Sequence, residues 1–370
     1  MSFREIFCQD RAIDVLQRAF ASDRWAHAYI FAGPEGVGKF KTARAWAKLL
    51  LCGQPVVENG FADSCGSCQS CRLFEAGSNP DFNHVYKELL EFTKDNADKK
   101  TPVDLAIDVI REFLIAKAST RPTLSKRKIF VVSQAERLNV ASQNCLLKVL
   151  EEPPEYCSIV LLCTRLEKLL PTTKSRCQTV RFGPVDESRI TGKLESLGLE
   201  REAAQYFARL AQGSLGTACQ WAELELGGAN LYQTKKELLR SLAGYQFADS
   251  LDLAQELLEK SKKIADVWTD LEKATSKTDI NRRALSAIVL MIISALHDAM
   301  RRSAAPAREA VNSDQKEQIA SLATRFDAER AAEKIADCYR MLSWIEASVN
   351  EKLIFEQLLL SLADSDTIHV

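Results

Sequence analysis

The sequence predicts an α/β domain with a doubly wound parallel sheet, followed by a small helical domain and a larger all-helical one. Three observations predict it. Short apolar runs without alternation, "AYIFA" (Ala28–Ala32), "KIFVVS" (Lys128–Ser133) and "SIVLLC" (Ser158–Cys163), read as strands buried on both faces. Amphipathic helical stretches lie between them, and such alternation indicates parallel pairing. After Phe182 the periodicity turns helical, with no convincing strand.

Each element follows from its residues. "KTARAWAKLLL" after the first strand is a helix, directly preceded by a glycine loop. "NVASQNCLLKVLEE" is a second helix, with Asn139 as its cap. Pro153 and Pro154 end it, because proline lacks the N–H and restricts the residue before it. "GPVDES" reads as a linker or cap, and Gly213 splits "LARLAQGSLGTACQWAEL" into two short helices. A longer helical region runs from about 231 to 363, its turns marked by "KTDIN" and "SAAPAREAVNSDQ". The expected divisions are 1–182, 183–228 and 229–370. No internal repeat stands out.

The bulk numbers exclude several classes. A chain of 370 residues holds two or three cores. A net charge of -1 gives no global basic field for nucleic acid, though local contacts stay open. No apolar run is long enough to span a bilayer, so no membrane is expected. The N-terminus is charged from Arg4 onward, against a secretory signal. Eleven cysteines, an odd count, fit a reducing cytoplasm better than a disulfide framework.

"GPEGVGKF" (Gly33–Phe40) is almost a phosphate loop, in which backbone N–H groups and a helix N-terminus surround anionic oxygens. Gly33, Gly36, Gly38 and Lys39 supply the cradle and its charge. The next position needs a hydroxyl for magnesium and holds Phe40. Thr42 points roughly 200° away from it on the helix. The carboxylate expected after "KIFVV" is replaced by Ser133 and Gln134, and Glu136 is expected to begin the next helix. With both metal positions lost, magnesium and hydrolysis are not expected. The loop reads either as a nucleotide or phosphate site or as a tight strand–helix turn.

Cys52, Cys65, Cys68 and Cys71 form a cluster that includes C-x-x-C-x-x-C. Four thiolates at such spacings are typical of structural zinc, which would pin the 52–71 insertion. Reduced thiols and an iron–sulfur cluster are the other readings. "SKRK" (Ser125–Lys128) is a solvated loop or a phosphate contact, and "KDNADKK" (Lys94–Lys100) a polar loop. His27 lies just before the first strand, where a structural role is one reading. "ALSAIVLMIISALHDAM" (Ala284–Met300) is core at helical period.

These residues resemble the bacterial DNA polymerase III clamp-loader subunits, which are AAA+ proteins. "HAYIFAGPEGVGK", the four cysteines, "NPDF", "IDVIREFLIAKASTRP", "LLKVLEEPPE" and "LPTTKSRC" occur in the expected order across about the first 220 residues. "VNEKLIFEQLLLSLA" resembles the tail of the family's helical collar. The resemblance implies a sensor role for Thr164 and an arginine finger, acting in trans, for Arg176 of Ser175–Arg176–Cys177. It also implies, as the alternative to a structural role, that His27 lies close to an adenine pocket, and that some of Ala284–Met300 packs against neighbouring subunits. The motor pattern would also need an arginine at Gly216. Its absence, with the two lost metal positions, resembles the non-hydrolysing delta-prime type. That implies gamma/tau motor subunits and a delta subunit as partners in a hetero-pentamer, with a sliding clamp and primed DNA. An active motor of the same family, or a zinc-containing DNA-binding module, are the competing readings.

Overall fold

The computed structural model of the protein describes residues 2–94, 104–273, 275–304, 310–347 and 349–363. It divides into two compact units: 1–186 with 214–216, and 187–213 with 217–370. Most of "KDNADKK" lies outside the described residues.

The strands of the first unit are β1 (Ala28–Ala32), β2 (Val56–Glu58), β3 (Phe61–Asp63), β4 (Phe82–Val85), β5 (Lys128–Val132), β6 (Cys157–Cys163) and β7 (Gln178–Arg181). Five make one parallel sheet in the order β4-β5-β6-β1-β7, and β2 and β3 form a separate antiparallel hairpin. The three expected strands are its centre, and β5 and β6 are buried along their whole length. Both edge strands escaped the sequence reading. In β7 only Val180 is buried, and β4 alternates between half-buried and buried residues, so neither carries the continuous apolar run of a central strand.

Alternation along each strand feeds two cores. Tyr29 and Phe31 join Leu16 and Trp46 on one face, while Ile30 joins Phe130, Leu146 and Leu161 on the other. "NPDF" has a structural job. The Asp81 carboxylate, wholly buried, accepts N–H bonds from Thr123 (2.7 Å), Leu124 (2.8 Å) and Ser125 (2.7 Å), which fastens the approach to β5. Helix Val140–Glu151 starts where expected, with the Asn139 side chain accepting the Ser142 N–H at 2.9 Å.

Among its described residues, every secondary-structure element of the second unit is a helix. Helices Arg201–Leu210 and Leu215–Leu224 flank Gly213, whose φ of 88° suits glycine. "KTDIN" is not a turn. It forms the first residues of helix Lys277–Ala304, and the Ser276 hydroxyl just before it accepts the Asp279 N–H. The sequence showed no span long enough for a bilayer, yet Lys277–Arg302 passes on length and composition. Some 72% of its apolar window is buried inside the protein, so the helix is a core element. From Ala284 to Ala299 its apolar residues are nearly all covered by this chain, leaving little of that stripe for a neighbour.

Candidate phosphate loop, arginine site and cysteine site

The loop leaves β1 at the carboxyl end of the sheet, where ligands of such folds sit. A Cβ on Gly33 would lie 2.4 Å from the Phe182 carbonyl oxygen, so packing alone demands glycine there. Gly38, at φ 101°, is the left-handed cap of helix Lys39–Leu51. Lys39 turns back onto the loop: its Nζ donates to the carbonyls of Gly33 (2.6 Å) and Pro34. Burial holds its pKa below the ordinary lysine value, opposed by the nearby Glu136 carboxylate.

Glu136 does not begin the next helix. It sits in a 3-10 turn, Ala135–Arg137, entered through Gln134 at a left-handed φ of 53°. Its carboxylate accepts the Thr164 hydroxyl at 2.6 Å and the Thr164 N–H at 3.2 Å. Lys39, Glu136 and Thr164 are therefore one electrostatic group at the ends of β1, β5 and β6. Sequence reasoning placed Glu136 at a helix start, and the left-handed Gln134 instead turns it toward Thr164.

The two positions lacking metal ligands are bridged by a residue the sequence did not single out. The Phe40 ring lies 4.7 Å from the His84 ring, and His84 Nε2 is 2.8 Å from the Ser133 hydroxyl. Burial lowers the His84 pKa to about 4, with Arg44 adding to the effect. Thr42, fully buried, donates its hydroxyl to the Gly38 carbonyl at 3.0 Å and does not substitute for the missing hydroxyl. At the position where a motor needs arginine, the Gly216 N–H donates to the Gly36 carbonyl at 2.7 Å. A Cβ on Gly216 would come within 3.0 Å of Gly36 Cα.

Ser175, Arg176 and Cys177 join helix Pro171–Lys174 to β7. The Ser175 hydroxyl donates to the Thr172 carbonyl, and Cys177 packs against the core, where burial raises its pKa to about 12. Arg176 between them stays one-third exposed. Its Nη1 donates to the Thr172 carbonyl at 2.9 Å, and its Nη2 pairs with Glu151 at 2.6 Å.

The four cysteines converge, with their sulfurs all within 4.8 Å of one another. Cys52 Sγ lies 3.5 Å from that of Cys65 and 4.0 Å from that of Cys68. A tetrahedral Zn–S4 centre needs S···S separations of about 3.8 Å, so the set fits such a metal. Backbone N–H groups of Cys65, Cys68 and Cys71 donate to the sulfurs of Cys52, Cys65 and Cys68. The Cys68 amide pulls Cys65 down to about 6. The amide bonds favour the thiolate, the form a metal takes, at Cys65, while burial raises the pKa of Cys52 and of Cys71.

Some of the remaining candidates make contacts within the chain. Lys128 Nζ caps the carbonyls of Lys117, Thr120 and Arg121, and Arg127 lies 4.3 Å over the Trp25 ring. His27 Nε2 bonds the Leu150 carbonyl at 3.1 Å.

A degenerate phosphate loop at the first strand of a parallel sheet, with a partly exposed arginine before its last strand, defines an α/β protein of the phosphate-loop type. The profile described as "DNA polymerase III, delta subunit" matches residues 8–186, and that described as "DNA polymerase III, delta subunit, C terminal" matches 246–364. The chain belongs to this family of DNA polymerase III clamp-loader subunits. Among curated relatives, DNA polymerase III subunit delta' of Bacillus subtilis (strain 168) is 31% identical over 216 residues, 58% of this chain and 59% of that one. The delta' subunit of Pseudomonas aeruginosa is 38% identical over 152 residues, 41% of this chain and 42% of the relative. Subunit tau of Bacillus subtilis is 27% identical over 290 residues, 73% of this chain and 48% of the relative. The matched region thus spans about half the length of these relatives. A solved gamma subunit-related protein from Thermotoga maritima covers 95% of this chain and 98% of its own, with 16% identity and a TM-score of 0.41.

Proposed function

We propose that this chain is a delta-prime-type subunit that does not hydrolyse ATP and donates Arg176 to the nucleotide of an adjacent motor subunit. The observation that carries the reading is the Phe40–His84–Ser133 contact. It occupies both positions where a motor holds magnesium ligands, while the Ser175–Arg176–Cys177 element keeps its guanidinium at the surface. A guanidinium supplied in trans stabilises charge on a transferring phosphoryl group, so a subunit that lacks its own metal site still contributes to turnover. Gly33, Gly36, Gly38 and Lys39 keep a phosphate-loop shape whose lysine is bonded to the loop itself. Cys52, Cys65, Cys68 and Cys71 hold a structural zinc in this reading. The division into an α/β domain, a helical lid and a helical collar, the assembly with gamma/tau and delta subunits, and the action on sliding clamp and primed DNA belong to the same proposal.

The test is steady-state ATP hydrolysis by motor subunits, delta subunit and this chain, with clamp and primed DNA. Replacing the chain by Arg176→Ala is expected to lower turnover by about 10³-fold. The isolated chain is expected to be silent. Turnover by the isolated chain would make it a motor, and an unchanged rate with Arg176→Ala would end the arginine role.

A further inference from the structure

We infer that Glu151 is a positioning residue for Arg176, holding the guanidinium at the angle from which it reaches a neighbour's phosphate. The inference rests on the arginine reading above and adds a residue to it. Glu151 is the last residue of helix Val140–Glu151, which Pro153 and Pro154 prevent from continuing. A carboxylate at a helix C-terminus faces the negative end of the helix dipole and is disfavoured there unless a cation answers it. Arg176 is that cation, with Nη2 at 2.6 Å from Glu151 Oε1.

The geometry separates holding from hiding. Arginine has five N–H groups, and the contacts to Glu151 and the Thr172 carbonyl use two of them. The others stay available for a phosphate. Below the guanidinium, Cys177 anchors the backbone in the core, and the Arg176 N–H donates to the Thr173 carbonyl at 3.3 Å. The stem is thus fixed at its base by packing and at its tip by Glu151. A flexible arginine would lose several rotamers on reaching its target, and a pre-set one avoids that loss. The pair contributes little to folding, since the side chains keep 33% and 47% of their exposure. Its consequence falls on the orientation of Arg176.

The experiment uses the full complex with wild-type chain, Glu151→Gln, Arg176→Ala and the double variant. Thermal unfolding of all four chains should agree within a few degrees. Glu151→Gln should lower kcat about three- to ten-fold with little change in KM, because positioning acts on the transition state. In the Arg176→Ala background, Glu151→Gln should change nothing further, since it acts only through the arginine. A wild-type rate for Glu151→Gln, beside a large loss for Arg176→Ala, overturns the inference and leaves the arginine role standing. A further loss in the double variant overturns it too, assigning Glu151 an independent role. An unchanged rate for Arg176→Ala removes both.

Discussion

The Phe40 ring rests 4.7 Å from the His84 ring, centroid to centroid, at 42°. A phenyl ring thus stands where a phosphate loop normally offers a hydroxyl, and it is held by an imidazole that is itself bonded to Ser133. Replacing Phe40 alone therefore repairs one metal position and leaves the other without a carboxylate. Phe40→Ser in the isolated chain is expected to lose about 1 kcal/mol of stability and gain no ATP turnover. Phosphate release measured with magnesium present checks this, and sustained turnover by the single variant would sink the reading of the site.

His84 makes stability depend on pH. Its pKa is about 4 in the folded chain against 6.5 ordinarily, so between those values the unfolded chain binds a proton that the folded one does not. The stabilisation is present above pH 6.5 and is lost as pH falls toward 4. The loss amounts to on the order of 2 to 3 kcal/mol. Urea midpoints at pH 7.5 and pH 5 should diverge more for the wild type than for His84→Gln. Equal pH dependence in the two chains would contradict the assignment.

Asp81 ties three consecutive backbone N–H groups, those of Thr123, Leu124 and Ser125, to the start of β4. Asp81→Ala orphans all three and is expected to cost about 3 to 5 kcal/mol. Asp81→Asn keeps one acceptor and should cost less. Denaturant titration ranks the two, and a loss below about 1 kcal/mol for alanine would show that water replaces the carboxylate freely.

The four cysteines should bind about one metal per chain. Elemental analysis distinguishes zinc from iron, and a visible absorption band would mark an iron–sulfur cluster instead. Cys68→Ser is expected to weaken metal retention by at least ten-fold while the parallel sheet stays folded, because the insertion is local. Full metal content in that variant would exclude Cys68 as a ligand.

Much of this was readable along the chain. Strands buried on both faces show as unbroken apolar runs, so β1, β5 and β6 were visible. The glycine spacing, the cysteine spacing, the Asn139 cap and the two lost metal positions are likewise short-range patterns. So is Ser175–Arg176–Cys177, although only the fold explains it: the outer two residues anchor to backbone and core, and the middle one faces out. The edge strands β4 and β7 lacked such a signature because half-buried positions tolerate polar residues.

His84 and Glu151 were given no role along the chain, and Glu136 and Gly216 were met there only as a helix start and a missing arginine. Each gains its meaning from a residue far away in the sequence: Phe40, Thr164, Arg176 and Gly36 respectively. A parallel sheet in the order β4-β5-β6-β1-β7 lines up strand ends that are not consecutive in the chain. Ring stacking, carboxylate pairing and close glycine contacts act over a few ångströms of space, whatever the separation along the chain. Pattern reading could therefore find the loop and its missing ligands, while the residues that took their place had to await the packed sheet.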